Sequence, residues 1–281
     1  MGRVEIKGLM SSDSRNVGTD AVFTDVVARH AERIFNFAFR MTMSRDDAMT
    51  VTRETFQRAY VASERAKAAD MEPWLLRIAH HVLESLHAEE EEAPRFDWDQ
   101  LDDVLRSEAT RTDVVHSQQS PQREYMLWEL KQGCMTAVVN CLSAGERVAF
   151  VLAAIIGLPE ETAARTLGIK TSAFKVRLSR ARQKVQDYLA PRCEHVNPRN
   201  PCHCPSRLGV AIAKGFIAPP SSAVVRLRKA GEAFAAQGAT RDVGLLFKNL
   251  PDPDMPDDLV AGLHQEIASG AWEPLKGTGA R

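Results

Sequence analysis

Four potential metal ligands lie close together in the segment 193–204, which reads CEHVNPRNPCHC. They are Cys193, His195, Cys202 and Cys204. Three thiolates and one imidazole suit a closed tetrahedral zinc site, and copper(I) also prefers thiolate ligands. The spacing differs from that of a standard zinc ribbon. Three interpretations therefore stay open: a metal site, a redox-sensitive thiol group, and incidental reduced thiols.

The two remaining cysteines are predicted to have a different role. Cys134 and Cys141 are seven positions apart in the sequence. That spacing is about two turns of a helix, so both side chains fall on one face. Free cysteine behaves as a small apolar side chain and is often buried. We therefore predict that both lie in the core of a helical unit.

Charge is distributed unevenly along a chain whose formal net charge is only -1. An acidic block at 89–103 begins with Glu89 to Glu92 and continues with four aspartates. A basic segment at 165–192 contains eight Lys and Arg residues and a single acid, Asp187. Such asymmetry indicates contact between the basic segment and nucleic acid, although a solvated helix face would show the same charges.

The segment 157–182, GLPEETAARTLGIKTSAFKVRLSRAR, has the pattern of a helix-turn-helix. Gly168 can adopt the left-handed conformation that ends a first helix, and Phe174 and Leu178 would anchor the inner face of a second. The second helix would present its N-terminal residues to base edges in the major groove, and Thr171 or Ser172 is predicted to cap it. The alternative is a basic amphipathic helix that only packs. The predicted DNA-binding residues are Thr171, Ser172, Lys175, Arg177, Arg180 and Arg182.

Helical periodicity extends through nearly the whole chain, and no segment has a convincing strand pattern. We therefore predict an all-α protein with two helical domains and a tail. Ser44 is predicted to cap the second helix, Pro73 to lie in the first turn of the third, and Ser143 and Glu146 to form a capping box. The predicted units are a first domain at 20–90, an acidic linker at 91–121 with a short helix near 101–105, a helix-turn-helix domain at 122–192, and a Cys- and His-containing regulatory extension at 193–281.

The composition is that of an ordinary globular protein, with 44% hydrophobic and 26% charged residues in a chain of 281. No apolar run is long enough to cross a membrane, and the first 20 residues lack the apolar stretch of a signal peptide. A cytoplasmic location is therefore expected. The sequence contains no nucleophile and base pair, phosphate-binding loop or catalytic pair of carboxylates, so we expect a binding protein rather than an enzyme.

Two parts of the chain resemble the extracytoplasmic-function sigma factors of the sigma-70 family. The segment 142–189, with the motifs CLSAGERVAFVLAAIIGL and RLSRARQKV, is similar to their domain 4. The segment DDAMTVTRETFQRAY is similar to the domain 2 helix that contacts polymerase, and the match implies Asp47, Glu54 and Phe56 as polymerase-binding residues. The segment PWLLRIAHHVLESLHAEEEE is similar to the following helix, but Glu89 to Glu92 stand where the family has basic residues.

This resemblance implies an RNA polymerase sigma factor that directs transcription initiation at specific promoters. Its expected partners are core RNA polymerase and promoter DNA, and the family also allows an anti-sigma factor. Promoter binding would need no cofactor, whereas zinc or copper(I) binding, or thiol oxidation, in the tail would modulate activity. Two alternatives stay open: a degenerate sigma-like regulator that does not open promoters, and a metal-sensing helix-turn-helix repressor. The acidic run at 89–92 favours the former, because carboxylates repel phosphates.

Overall fold

The computed structural model describes residues 13–62, 71–86, 96–106, 121–213, 217, 243–248, 250 and 252–272. Within these ranges the ordered elements are helices, and the one β-type pairing is an isolated bridge between Cys193 and Cys202. The predicted all-α fold class is confirmed. The acidic run Glu89 to Glu92 lies outside the described residues. None of the helices in these ranges combines the length and the apolar character that a membrane crossing needs.

The α-helices range in length from 6 to 30 residues. They are α1 (Asp13–Thr42), α2 (Arg45–Val61), α3 (Met71–Leu86), α4 (Trp98–Arg106), α5 (Pro121–Asn140), α6 (Ala144–Phe150), α7 (Glu160–Thr166), α8 (Thr171–Leu189), α9 (Cys204–Ala213), α10 (Val243–Lys248) and α11 (Asp257–Ala268). A π-helical turn, Val151–Ile155, continues directly from α6.

Helices α1, α2 and α3 form one unit, in which α1 packs against both of the others. The side chain of Phe23 on α1 is buried and meets the ring of Phe56 on α2 edge-on, with 6.3 Å between ring centroids. Ser44 caps α2 as predicted, because its hydroxyl oxygen accepts a hydrogen bond from the N–H of Asp47 at 3.1 Å. Pro73 lies in the first turn of α3, also as predicted.

Helices α5 to α8 form the second unit, whose core includes the buried rings of Phe150 and Phe174. Ser143 is the residue that precedes α6, but its hydroxyl donates to the carboxylate of Glu146 at 2.9 Å instead of accepting from a helix N–H. The predicted position of this cap is correct, and so is half of the predicted pattern, because the Glu146 carboxylate also accepts a hydrogen bond from the backbone N–H of Ser143. The other half, a hydrogen bond from a helix N–H to the Ser143 hydroxyl, is not formed. Gly157 has φ 83°, a left-handed conformation that turns the chain from the π-helical segment towards α7.

The short helix predicted near 101–105 is present as α4, and it packs against the C-terminal end of α8. The ring of Trp98 lies 4.8 Å from that of Tyr188. The guanidinium of Arg192 donates to both carboxylate oxygens of Asp102, at 2.9 and 3.1 Å. This two-pronged pair adds directional contacts to the ring packing and joins the segment before α5 to the segment after α8.

The two helical units pack directly against each other, with α1 on α5 and α3 on α7. Arg40 of α1 is fully buried, and its guanidinium donates to the carbonyl of Gln132 at 3.3 Å and to the hydroxyl of Thr136. The side-chain amide of Asn140 donates to the carbonyl of Arg40 at 2.9 Å. A buried cation needs such partners, so this junction has a specific geometry.

The described parts of the extension also pack on these two units. Helix α9 lies on α5, α10 lies on the π-helical turn and α8, and α11 lies on α1. The ring of Phe247 in α10 is fully buried and meets Phe150 edge-on at 4.9 Å. The extension therefore contributes to the same apolar core as both helical units.

Candidate nucleic-acid interface and cysteine cluster

The helix-turn-helix geometry is formed by α7, a short turn and α8. Gly168 has φ 65°, as the sequence predicted for the residue that ends the first helix. The N–H of Ile169 donates to the carbonyl of Ala164 at 3.1 Å, which closes the turn. Ala163 and Ala164 are buried, and their small side chains let α7 approach α8 closely.

One face of α8 is buried, and the residues on it recur every three or four positions: Phe174, Leu178, Ala181 and Val185. The predicted base-contacting side chains therefore lie on the other faces, where Ser172, Lys175, Arg177, Arg180 and Arg182 are exposed and Thr171 is half-buried. The predicted cap is wrong. Lys170 precedes the helix and makes no side-chain cap, whereas Thr171 and Ser172 are already helical.

The exposed cations of α8 point in different directions. The ammonium of Lys175 and the guanidinium of Arg182 lie 3.8 and 3.9 Å from the carboxylate of Glu160 on α7. At these distances, with both cations more than half exposed, the ion pairs are weak and would exchange easily for phosphate contacts. The guanidinium of Arg177 leans over Gly145, where an added Cβ would lie 3.5 Å from it. Arg177 therefore lies nearer to α6 than to the open face.

A further residue on the open face was missed from the sequence. Val176 lies between Lys175 and Arg177 in the first half of α8, and its apolar side chain is 50% exposed. An apolar side chain at such a position can contact the methyl group of thymine in the major groove. The sequence did contain a signal for it, because Val176 falls outside the buried spacing of Phe174 and Leu178.

The three predicted polymerase-binding residues of α2 differ in how far their side chains are exposed to a partner. Phe56 is fully buried against Phe23, so its side chain cannot contact a partner directly, and that assignment is corrected. The prediction failed because this apolar ring packs in the core between α1 and α2. Glu54 is half-buried and forms an ion pair with Arg58, while Asp47 is half-buried in the first turn. Both carboxylates remain predictions for this surface.

Comparison with known proteins assigns both helical units. The family model for sigma-70 region 2 matches residues 26–89, and the model for sigma-70 region 4 matches residues 132–185. The chain belongs to the sigma-70 family. Helices α1 to α3 lie in or overlap region 2, and α6 to α8, with the helix-turn-helix, lie in or overlap region 4. The extension after residue 192 lies beyond both matches.

Two relatives in sequence agree with this assignment. The chain is 29% identical over 173 residues to the ECF RNA polymerase sigma factor SigE of Mycolicibacterium smegmatis, covering 59% of this chain and 61% of that relative. It is 25% identical to the RNA polymerase sigma factor CnrH of Cupriavidus metallidurans, covering 61% of this chain and 88% of CnrH. Among solved structures, the sigma factor RpoE of Bartonella quintana, in complex with the anti-sigma factor NepR, superimposes with a TM-score of 0.42 at 20% identity, covering 60% of this chain and 96% of RpoE.

The cysteine cluster follows region 4 in a loop that backbone hydrogen bonds organise. The N–H of Cys202 donates to the carbonyl of Arg192 at 3.0 Å, and the N–H of Glu194 donates to the carbonyl of Cys202 at 3.1 Å. The side-chain amide of Asn200 donates to the carbonyls of Ala190 and Cys193, at 2.7 and 2.9 Å. The two ends of the loop are thereby held side by side.

The predicted ligands are brought together only in part. The sulfur of Cys204 lies 3.4 Å from Nε2 of His195. Among the described residues, the one set of three potential ligand atoms within 4.8 Å of one another belongs to Glu194, His195 and Cys204. Glu194 was missed from the sequence, and Cys193 and Cys202 lie outside this tight set. Burial, followed by the nearby charge of Lys131, lowers the pKa of His195 to about 4. The imidazole is therefore neutral near pH 7.

Cys134 and Cys141 also differ from each other. Cys141 is buried, as predicted, and burial raises the pKa of its thiol to about 12. Cys134 is half-buried on α5. Burial raises the pKa of its thiol, and the nearby thiols of Cys202 and Cys193 raise it further. Cys134 is therefore close enough to the loop cysteines to feel their charge, which its sequence position gave no reason to expect.

Proposed function

We propose that this protein is a promoter-specificity subunit of bacterial RNA polymerase. The observation that carries the proposal is the combination of region 2 and region 4 in one chain, with a helix-turn-helix whose outer face is basic. Core RNA polymerase and promoter DNA are the proposed partners, and an anti-sigma factor is a further one. The activity is binding rather than catalysis, and it takes place where the polymerase works, in the cytoplasm.

The side chains of α8 support two kinds of DNA contact, one with phosphates and one with base edges. Lys175, Arg180 and Arg182 are exposed cations that can replace the counterions of DNA phosphates, which supplies affinity that depends on salt. The first turns of α8, from Thr171 to Val176, offer hydroxyl, ammonium and apolar groups for base edges, which supply sequence preference. The packing of Phe174 and Leu178 fixes the direction in which these groups point.

Run-off transcription tests this function directly. Purified chain is added to core polymerase and a pool of genomic promoter fragments, and the expected result is a set of discrete transcripts that core polymerase alone does not make. An Arg180→Ala variant should reduce these transcripts, whereas Arg199→Ala is a matched control, because Arg199 is an exposed cation in the loop beyond region 4.

Two other results would replace the proposal. Binding to core polymerase without any transcript would identify a degenerate sigma-like regulator. A footprint on DNA alone, with no association with core polymerase, would identify a helix-turn-helix repressor instead.

A further inference from the structure

Residues 252–272 of the extension lie on the helices of region 2. Helix α11, which belongs to this segment, packs on α1 and buries the side chains of Leu263 and Ile267 in the shared apolar core. The imidazole Nε2 of His264 lies 3.1 Å from the carbonyl oxygen of Thr24 on α1. Neither family model extends to this segment. Region 2 therefore has a covering layer that the family match does not account for.

An aromatic cluster and an ion pair fix the end of this segment on region 2. The indole of Trp272 is 2% exposed and packs edge-on against Phe23 of α1 and Tyr60 of α2, with 6.4 and 5.9 Å between ring centroids. The carboxylate of Glu266 accepts from the guanidinium of Arg53 on α2 at 2.8 and 3.1 Å. It also accepts from the indole N–H of Trp272 at 2.8 Å. Glu266 thus connects the buried ring to the ion pair, so the two contacts stabilise each other.

A left-handed glycine directs Trp272 back towards region 2. Gly270 lies two residues after α11 and has φ 71°, a conformation that residues with a side chain rarely adopt. Its N–H donates to the carbonyl of Ile267 at 3.0 Å. The N–H of Ala271 donates to the carbonyl of Glu266 at 3.1 Å. These hydrogen bonds reverse the chain, and the indole therefore reaches the carboxylate six positions earlier.

The segment lies on α2 beside the side chains that are predicted to bind polymerase. Arg53 and Tyr60, which the segment contacts, are seven positions apart and so fall on one stripe of the helix. Asp47 and Glu54 are also seven positions apart and form the neighbouring stripe, about 100° around the helix axis. A standard protein interface covers about 800 Å² of each partner, which is much wider than one stripe. A polymerase surface centred on the second stripe would therefore overlap with α11.

The start of the segment contacts the junction between the two helical units. The guanidinium of Arg45 on α2 donates to the carbonyl of Asp254 and also contacts the carboxylate of Glu129 on α5 at 3.2 Å. The side-chain amide of Asn36 on α1 donates to the carboxylate of Asp252. Displacement of the segment would remove partners from α1 and α2 at this junction, so it would also weaken the packing of α5 against region 2.

We infer that residues 252–272 are an intramolecular competitor of core polymerase for region 2. This inference rests on the proposed function. The segment in place covers the stripe of α2 that contains Arg53 and Tyr60, and polymerase has to displace α11 and Trp272 before it can bind there. The apparent affinity of the chain for polymerase is therefore reduced in proportion to the fraction of molecules in which the segment is displaced.

Hydrogen exchange of the full-length chain, free and bound to core polymerase, tests this inference directly. In the free chain the backbone amides of α11 should exchange slowly, because the helix packs on α1. In the complex they should exchange at least about ten-fold faster, because polymerase takes the place of the segment. The amides of α6, a buried helix of region 4, are the internal control and should exchange no faster in the complex.

Three alanine variants of the full-length chain provide the matching measurement of polymerase affinity. Trp272→Ala should raise the affinity by at least about ten-fold, because it removes the buried ring that holds the segment. Glu266→Ala should raise it by about two- to five-fold, as expected for an ion pair whose arginine is largely exposed. Gln265→Ala is the matched control, since Gln265 is the exposed neighbour of Glu266 on α11. This control should change neither the affinity nor the exchange of α11.

The outcomes separate this inference from the proposed function. Polymerase binding by wild type, with slow exchange of α11 in the complex and unchanged affinity of Trp272→Ala and Glu266→Ala, would overturn the inference alone. Failure of wild type and of every variant to bind polymerase would overturn the proposed function. Circular dichroism reports whether Trp272→Ala stays folded. If it does not, the affinity of Glu266→Ala against Gln265→Ala decides, because the Glu266 pair with Arg53 lies at the edge of the covered surface.

Discussion

Gly168 offers a quantitative test of the helix-turn-helix, because alanine at this position changes the backbone strain and makes no steric clash. Its φ of 65° is left-handed, and an added Cβ would meet no atom within 4 Å. Gly168→Ala therefore adds backbone strain without a steric clash, at a cost of roughly 1–2 kcal/mol. Gly133 has equally open space but lies inside α5, where alanine should stabilise by roughly 0.5–1 kcal/mol.

The two variants should shift the midpoint of urea unfolding in opposite directions, as measured by circular dichroism. At a slope of about 2 kcal/mol per M, Gly168→Ala should lower the midpoint of the region 4 transition by roughly 0.5–1 M. Gly133→Ala should raise it. Promoter affinity of Gly168→Ala should fall as well, because relief of the strain reorients α8. A stabilising effect of Gly168→Ala, equal to that of Gly133→Ala, would refute the left-handed turn.

Three further predictions concern DNA reading and pH. Val176→Ala should weaken binding to promoters by about 1 kcal/mol and relax the preference at one A·T pair, as measured by competition with single-base variants. Lys175→Ala should weaken binding to all sequences and reduce the slope of log affinity against log salt by about one, if its partner is a phosphate. Burial opposes ionisation of Glu146, but hydrogen bonds from Lys184 and Ser143 outweigh it, so the pKa of Glu146 lies below its ordinary 4.5. The stability contributed by Glu146 is present above pH 4.5 and is lost as the pH falls through the lower folded pKa, and Glu146→Gln should remove that part of the acid dependence in thermal unfolding.

Local features of this protein were predictable because they depend on neighbours in the sequence. The left-handed Gly168, the cap at Ser44 and the short helix α4 each follow from residues within one or two turns. The cap at Ser143, of which only the backbone half is formed, and the failed cap at Thr171 or Ser172 were also local predictions. The side-chain half of the first is missing because the hydroxyl had a competing carboxylate partner, and the second failed because the helix began earlier than the cap required.

Features that join distant segments were not predictable from spacing. Cys134 lies 59 positions before Cys193, and nothing in the sequence around it differs from an ordinary core cysteine. Phe56 was assigned to a partner surface by family resemblance, although its position on the apolar stripe of α2 already indicated burial. The contact of region 2 with region 4, and the cover that α11 provides, depend on tertiary packing that no periodicity encodes.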